Sequence, residues 1–316
     1  MTLNIGVIGV GGVGGYFGGK LCRLISTQEA NVYFIARGQH LDQIRRNGLL
    51  VKTATEGEWV CRPTLATERI QDLPTLDICL VCVKSYDLTA IVQQLREKIS
   101  QETILVSLLN GVDIDERIRA ILDAGHVYPG CVYIGAHIES PGTIVQRGGS
   151  CKILFGNRAK SVDIFHNRIL DVFHRCSIER RWLDDVCPAL WTKFIFIVGI
   201  SLTGAAFDKT LGQMMESSRL SGTIQSVMRE AAALAEKKGI ALPADVVSNS
   251  YEQASHFAYE TKTSFQRDFE SAERLDERAT LGGVILQMGE QLGIETPAAR
   301  ELWEILERRK PSPVLD

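Results

Sequence analysis

An α/β domain built on a parallel sheet, followed by an all-α domain, is the architecture this sequence predicts, and three observations carry the prediction. Residues 1–180 alternate short β-branched runs with helical patterns, the order that makes a parallel sheet. A Gly-x-Gly-x-x-Gly spacing, Gly9 to Gly14, falls between the first strand and the first helix. From Asp185 onward the strand signals stop and helical patterns continue. A chain of 316 residues also exceeds the size at which one core keeps growing. The expected division is a Rossmann-type nucleotide-binding domain over 1–184 and a helical domain over 185–316.

The first strand, Asn4–Ile8, leads into a helix over Val13–Thr27, and a second strand, Asn31–Ala36, into a helix over Gln39–Asn47. Leu49–Thr53 and Glu58–Arg62 flank a Thr-Glu-Gly turn and read as a hairpin inserted before the next core strand, Asp77–Val83. The rhythm resumes with a helix through Leu88–Ile99, the strand Thr103–Leu108, a helix through Asp115–Leu122 and the strand Val127–Ile134. Thr143–Gln146, Lys152–Phe155 and Ile178–Arg180 suggest further strands around a helix at about 160–175. The second domain reads as Pro188–Phe207, Ser217–Lys238, Pro243–His256, Leu275–Leu292 and Pro297–Arg309, several with proline in the first helical turn. Pro311-Ser-Pro313 is expected to end the last helix in a loose tail.

Composition narrows the function. With 35 Lys+Arg against 38 Asp+Glu and a net charge of −3, no field gathers nucleic acid or anionic lipid, so any anion must be held locally. The longest stretches without a formal charge are Met1–Gly19, Ala124–Ile138 and Phe194–Phe207. The first is rich in glycine and the others are shorter than the roughly 20 residues a bilayer needs, so no membrane span is expected. Met1 is not followed by a basic segment, so no secretory signal is expected either. Eight scattered cysteines, mostly inside apolar runs, read as reduced core residues of a cytoplasmic protein. Cys79 and Cys82 would point to opposite faces of a strand, which argues against a metal site. The six histidines are read as structural.

In the glycine segment, Gly9 permits a tight turn, Gly11 lets backbone approach a pyrophosphate, and Gly14 allows close packing of helix on strand. Gly9, Val10, Gly11, Gly12, Val13 and Gly14 thus form the expected phosphate cradle at a helix N-terminus. The second strand ends in Arg37, where an NAD enzyme carries an acid for the ribose 2′-hydroxyl; a guanidinium there grips a 2′-phosphate, and the cofactor expected is NADP. Lys84 and Asn110 each follow a core strand directly and should face the same crevice as Arg37. Taken singly, Lys84 reads equally well as a strand-end lysine and Asn110-Gly111 as a turn; three polar groups at one sheet edge point to a site.

These residues resemble those of the ketopantoate reductases (2-dehydropantoate 2-reductases). The likeness rests on the glycine fingerprint, Ile35-Ala-Arg37-Gly38-Gln-His-Leu41 with Asn47-Gly48-Leu49, Val83-Lys84-Ser-Tyr-Asp87 and Leu109-Asn110-Gly111-Val112. Tyr133-Ile-Gly-Ala136 and Ser140-Pro-Gly142 extend it through the first domain. Leu190-Trp191-Thr-Lys193, Ser264-Phe-Gln-Arg-Asp268-Phe-Glu270 and Leu281-Gly282 with Leu292-Gly-Ile294-Glu-Thr-Pro297 extend it through the second. The resemblance implies reduction of 2-dehydropantoate to pantoate with NADPH, on the route to pantothenate and coenzyme A. It implies a small 2-oxo acid as partner, and the long amphipathic helices of the second domain leave room for a homodimer.

Residue by residue, the resemblance makes Lys193 the proton donor, Ser264 the ligand of the substrate carboxylate, Lys84 and Asn110 groups at the nicotinamide and substrate, and Ala136 a backbone contact to the cofactor. The chemistry agrees for Lys193: hydride arriving at a ketone leaves an alkoxide, which an ammonium stabilises and protonates, best when burial lowers its pKa. Asp276 falls where the family has a Glu near the cofactor ribose or the lysine, and Glu277 is the competing choice. Four and eight residues beyond Lys193 the family commonly has Asn; here stand Ile197 and Ser201, with Leu211 at a third such place. Either other residues read the substrate hydroxyl, with Ser201 retained in the pocket, or the 2-oxo acid is a different one. A non-catalytic NADP-binding redox sensor is the remaining reading, and it has no use for Lys193 and Ser264.

Overall fold

The structure, a computed structural model, describes residues 2–158, 165–271 and 275–310 and divides into two compact units, Met1–Val186 and Cys187–Asp316. The first part of the helix expected at about 160–175 and the tail at 311–313 lie outside the described residues.

Among the described residues of the first unit are twelve strands: β1 Leu3–Ile8, β2 Ala30–Ile35, β3 Leu49–Thr53, β4 Gly57–Cys61, β5 Leu65–Thr67, β6 Leu76–Val81, β7 Ile99–Ser107, β8 His126–Val132, β9 Ala136–Ser140, β10 Thr143–Gln146, β11 Ile153–Gly156 and β12 Arg180–Leu183. Eight of them form one sheet in the order β12-β11-β8-β7-β6-β1-β2-β5. From β5 to β8 every neighbouring pair is parallel, and only the β11–β8 pairing is antiparallel. Strand order reverses beside β1, which pairs with β2 on one side and β6 on the other. Such a switch point opens a crevice at the carboxyl ends of the strands.

Both faces of this sheet are covered, which is why its strands read as unbroken apolar runs. Ile78 and Leu80 of β6 and Ile104 and Val106 of β7 join one core cluster; Cys79, Val81 and Leu105 join another with Leu88, Val92, Leu95 and Ile118 from the helices. Cys79 lies in the second cluster while Cys82 packs against the first.

The expected hairpin insertion is a correction in kind. β3 and β4 do pair antiparallel, but they belong to a separate four-stranded sheet, β4-β3-β10-β9, in which β10 lies parallel to β3. The helix Gly12–Leu21 packs against both sheets, and its small residues make this possible. A Cβ on Gly18 would meet Phe34 at 2.9 Å, whereas a Cβ on Gly15 would meet Ile144 at 2.5 Å and one on Gly19 would meet Val51 at 2.8 Å. Lys20, on the same helix, buries its stem and reaches Glu56 in the β3–β4 turn at 2.5 Å and the Ser177 carbonyl at 3.0 Å. The expected first helix, Val13–Thr27, accordingly ends sooner, with a separate turn at Arg23–Ser26.

The second unit is helical throughout its described residues: Cys187–Phe207, Leu211–Glu216, Ser218–Lys237, Val246–Ser255, Ser264–Glu270, a π-helical turn Ala279–Gly283, Val284–Leu292 and Pro297–Arg309. The reading of Ser217–Lys238 missed the short helix before it, closed by a reciprocal cap between Thr210 and Gln213. It also missed Ser264–Glu270. The helix Cys187–Phe207 has 21 residues and a mean hydropathy of 1.6, so the helix reaches the length of a membrane span even though its uncharged run does not. Its burial decides the matter: 83% of its most apolar stretch is enclosed by the protein, as in a core helix.

Glu230 fastens the last helix, accepting bonds from the N–H groups of Ala298 at 2.7 Å and Ala299 at 2.9 Å. These are orphan donors of a helix start, held here by a carboxylate from another helix. Glu230→Ala should therefore lower unfolding free energy by about 1–2 kcal/mol in urea titration, with Glu230→Gln losing less.

Candidate functional site

The carboxyl edge of the parallel strands collects the sequence-predicted groups of the first unit. Gly9 follows β1, and its N–H and that of Val10 both bond the Ile35 carbonyl at the end of β2, at 3.1 and 3.2 Å. Gly9 has φ +95°, a region that favours glycine, and a Cβ there would meet the Val83 nitrogen at 2.8 Å. A Cβ on Gly14 would run into the Gly9 carbonyl, and one on Gly12 into the Ala136 carbonyl. Gly11 differs: nothing stands within 4 Å of its Cβ position. The loop is thus tight on its protein side and open on the other, at the start of a helix. That is the cradle a pyrophosphate needs, and Gly9, Val10, Gly11, Gly12, Val13, Gly14 and the Ala136 backbone fit it.

The other strands bring their groups to the same edge. Cys82 N–H bonds the Ile8 carbonyl at 2.8 Å, and Leu108 N–H bonds the Val81 carbonyl at 2.9 Å, so the segments carrying Lys84 and Asn110 leave the sheet in register with the glycine loop. Lys84 and Asn110 are half-buried. The segment after Asn110 is clamped from below: Arg158 holds the buried Asp115 with two bonds of 2.6 Å and the Val112 carbonyl at 2.7 Å. Arg37 is mostly exposed and pairs with Asp87 at 3.1 Å.

His40, read from sequence as merely structural, is a positional member of this edge. Its Nδ1 accepts the Gly142 N–H at 2.9 Å, tying the β9–β10 turn to the helix that follows Arg37. Burial lowers its pKa from the ordinary imidazole value. Only a fold that folds the second sheet back onto the first helix could reveal this contact.

In the second unit Lys193 is 8% exposed on the core helix, beside Trp191 and Phe194, whose rings meet edge to face at 5.8 Å. Ile197 and Ser201 follow at four-residue steps on the same face, the first half-buried and the second buried. Leu211 is buried at the start of its short helix, its N–H bonded to the Thr261 carbonyl. Ser264 is exposed in the first turn of its helix, after the capping residue Thr263.

Asp276 is held in an ion-pair network. Both of its oxygens bind Arg278, at 2.9 and 2.8 Å, and Arg278 in turn binds Glu307 at 3.0 Å. Burial alone would raise the Asp276 carboxyl, but the bonds from the Arg278 side chain and backbone outweigh it and hold it below the usual carboxylate range. Its carboxylate is spent on the helix framework. Glu277, the competing choice, is buried at the entry to the π-helical turn. Single π-turns of this kind recur at functional sites.

The two glycine environments separate folding from binding. Gly14→Ala should cost stability, by about 1–3 kcal/mol, because backbone must move to admit the methyl group. Gly11→Ala should melt like the wild type yet bind a dinucleotide at least about tenfold more weakly, since the methyl group enters the space the phosphates use. Thermal melts beside dinucleotide titrations of both variants check this.

Comparison with known proteins agrees with this geometry. The family model described as ketopantoate reductase PanE/ApbA matches residues 5–160, and its C-terminal counterpart matches residues 185–310. A 2-dehydropantoate 2-reductase of Pyrococcus horikoshii is 24% identical over 311 residues, covering 98% of each chain. The crystal structure of 2-dehydropantoate 2-reductase from Porphyromonas gingivalis W83 is 29% identical with a TM-score of 0.83, covering 97% of this chain and 99% of that one. A ternary structure of D-mandelate dehydrogenase with NADH and anilino(oxo)acetate shares the fold at 19% identity, with a TM-score of 0.85 over 97% of this chain and 98% of that one. With both family models matched across most of its length, and with a glycine cradle and a buried lysine where the motifs lie, the chain belongs to the ketopantoate reductase PanE/ApbA family of oxidoreductases.

Proposed function

We propose that this protein is an NADPH-dependent, cytoplasmic 2-dehydropantoate 2-reductase, and the observation that carries the reading is Lys193: an ammonium buried at 8% exposure in the core helix of its unit. Burying a charge is costly, and a lysine so placed is retained for chemistry more readily than for packing. The bound cofactor supplies hydride to the substrate ketone. Lys193 then holds the developing alkoxide and gives it the proton, while Ser264 and Asn110 fix the carboxylate and the carbonyl. Asp276, or its neighbour Glu277, supplies the site carboxylate; Asp276 is also bonded by Arg278. The glycine loop, Arg37, Lys84 and the Ala136 backbone hold the dinucleotide. A non-catalytic sensor would have no use for the buried Lys193.

A second reading keeps the reaction and changes the 2-oxo acid. Ile197 stands one turn from Lys193 on the same face and offers no hydrogen bond, so that part of the pocket suits hydrocarbon better than the substrate hydroxyl. NADPH oxidation by the purified protein, measured with 2-dehydropantoate beside aliphatic and aromatic 2-oxo acids that lack the hydroxyl, separates the readings. 2-Dehydropantoate well ahead supports the first, and an aromatic acid ahead supports the second.

Two outcomes are expected on the preferred substrate. Lys193→Ala should lower kcat by about 10²–10⁴ with NADPH affinity nearly intact, since the proton donor acts only as the alkoxide forms. Converting both Ile197 and Ser201 to Asn should raise kcat/KM for 2-dehydropantoate relative to an acid without the hydroxyl, which competition assays read directly.

A further inference from the structure

The Arg37 guanidinium already faces a carboxylate. Arg37 leaves the end of β2, and Asp87 lies three residues beyond Lys84 after β6, so the 3.1 Å pair joins the segments on either side of β1 at the switch point. Asp87 stands at the N-cap position of the helix Leu88–Leu95, where an aspartate normally accepts a bond from the first helical turn. Here its side chain makes no capping bond and is turned to Arg37 instead. The pair is well exposed on the arginine side and one-third exposed on the aspartate side, so a ligand reaches it.

We infer that Asp87, together with Arg37, sets the choice between NADPH and NADH: its carboxylate competes with the 2′-phosphate for the guanidinium and repels that phosphate. The inference rests on the dinucleotide reading above. A 2′-phosphate sharing Arg37 with Asp87 comes within about 5 Å of a second anion, and in water that repulsion weakens binding by about five- to tenfold for a phosphate group. The 2′-hydroxyl of NADH meets no such penalty and can donate to the same carboxylate. The pair therefore narrows the preference that Arg37 alone would give.

The test is calorimetric titration of NADP⁺ and NAD⁺ into the wild-type protein and into Asp87→Asn, which keeps size and hydrogen bonding and removes the charge. Expected are NADP⁺ binding tightened by about five- to tenfold and NAD⁺ binding unchanged within about twofold, with the NADP⁺ gain shrinking at high salt. Equal shifts for the two dinucleotides would mean that Asp87 only shapes the loop, and unchanged binding of both would mean that it does not touch the ligand; either overturns the inference and leaves the cofactor reading standing. Failure of the wild-type chain to bind either dinucleotide would overturn both.

Discussion

The packing of one helix between two sheets governs much of the first unit. The helix Gly12–Leu21 has no room for a side chain at Gly14 and Gly18 on one side or at Gly12, Gly15 and Gly19 on another. Packing this close brings the helix start within backbone distance of both Gly9 and the Ala136 carbonyl. The helix N-terminus is thereby held at the switch point of the main sheet. Lys20 and Glu56 lock the far end of the same helix to the β3–β4 turn, so the second sheet acts as a brace for the cradle.

The second unit is organised around a different constraint, an apolar core helix that carries one buried lysine. Lys193 is 8% exposed on this helix, between Trp191 and Phe194 in sequence. The framework that supports this helix uses its own ions. Asp276, Arg278, Glu307 and Lys310 form a network, and Arg309 reaches the carbonyls of Ala205 and Ala206 at the end of the core helix.

Much of the main sheet was legible because both of its faces are buried. Strands such as Leu76–Val81 then appear as uninterrupted apolar runs, and the glycine fingerprint marks the first turn without ambiguity. β5, only three residues long, and β9, exposed along most of its length, left no such run. The short helix Leu211–Glu216 was hidden for a related reason, since six residues complete too few turns to show a period. Among the candidate residues, the sequence singled out Arg37, Lys84 and Asn110 in the first unit by residue type at strand ends, and Lys193 in the second inside an apolar run. The contacts of His40 and Asp87 left no local signal, because their partners lie 102 and 50 residues away.

What the sequence by itself determined is therefore what local pattern can encode: parallel α/β followed by helices, a glycine loop between the first strand and helix, and a lysine set in an apolar helix. Tertiary structure alone decided that the hairpin and β9–β10 make one sheet, that the surplus glycines of the first helix are packing contacts, and that Arg37 meets Asp87. It also decided that Arg278 closes on Asp276, through bonds that a linear spacing leaves open. Periodicity reports which face of an element is buried; it carries no information on which distant element covers that face, and the choice between a structural and a chemical role for a charged group is made there.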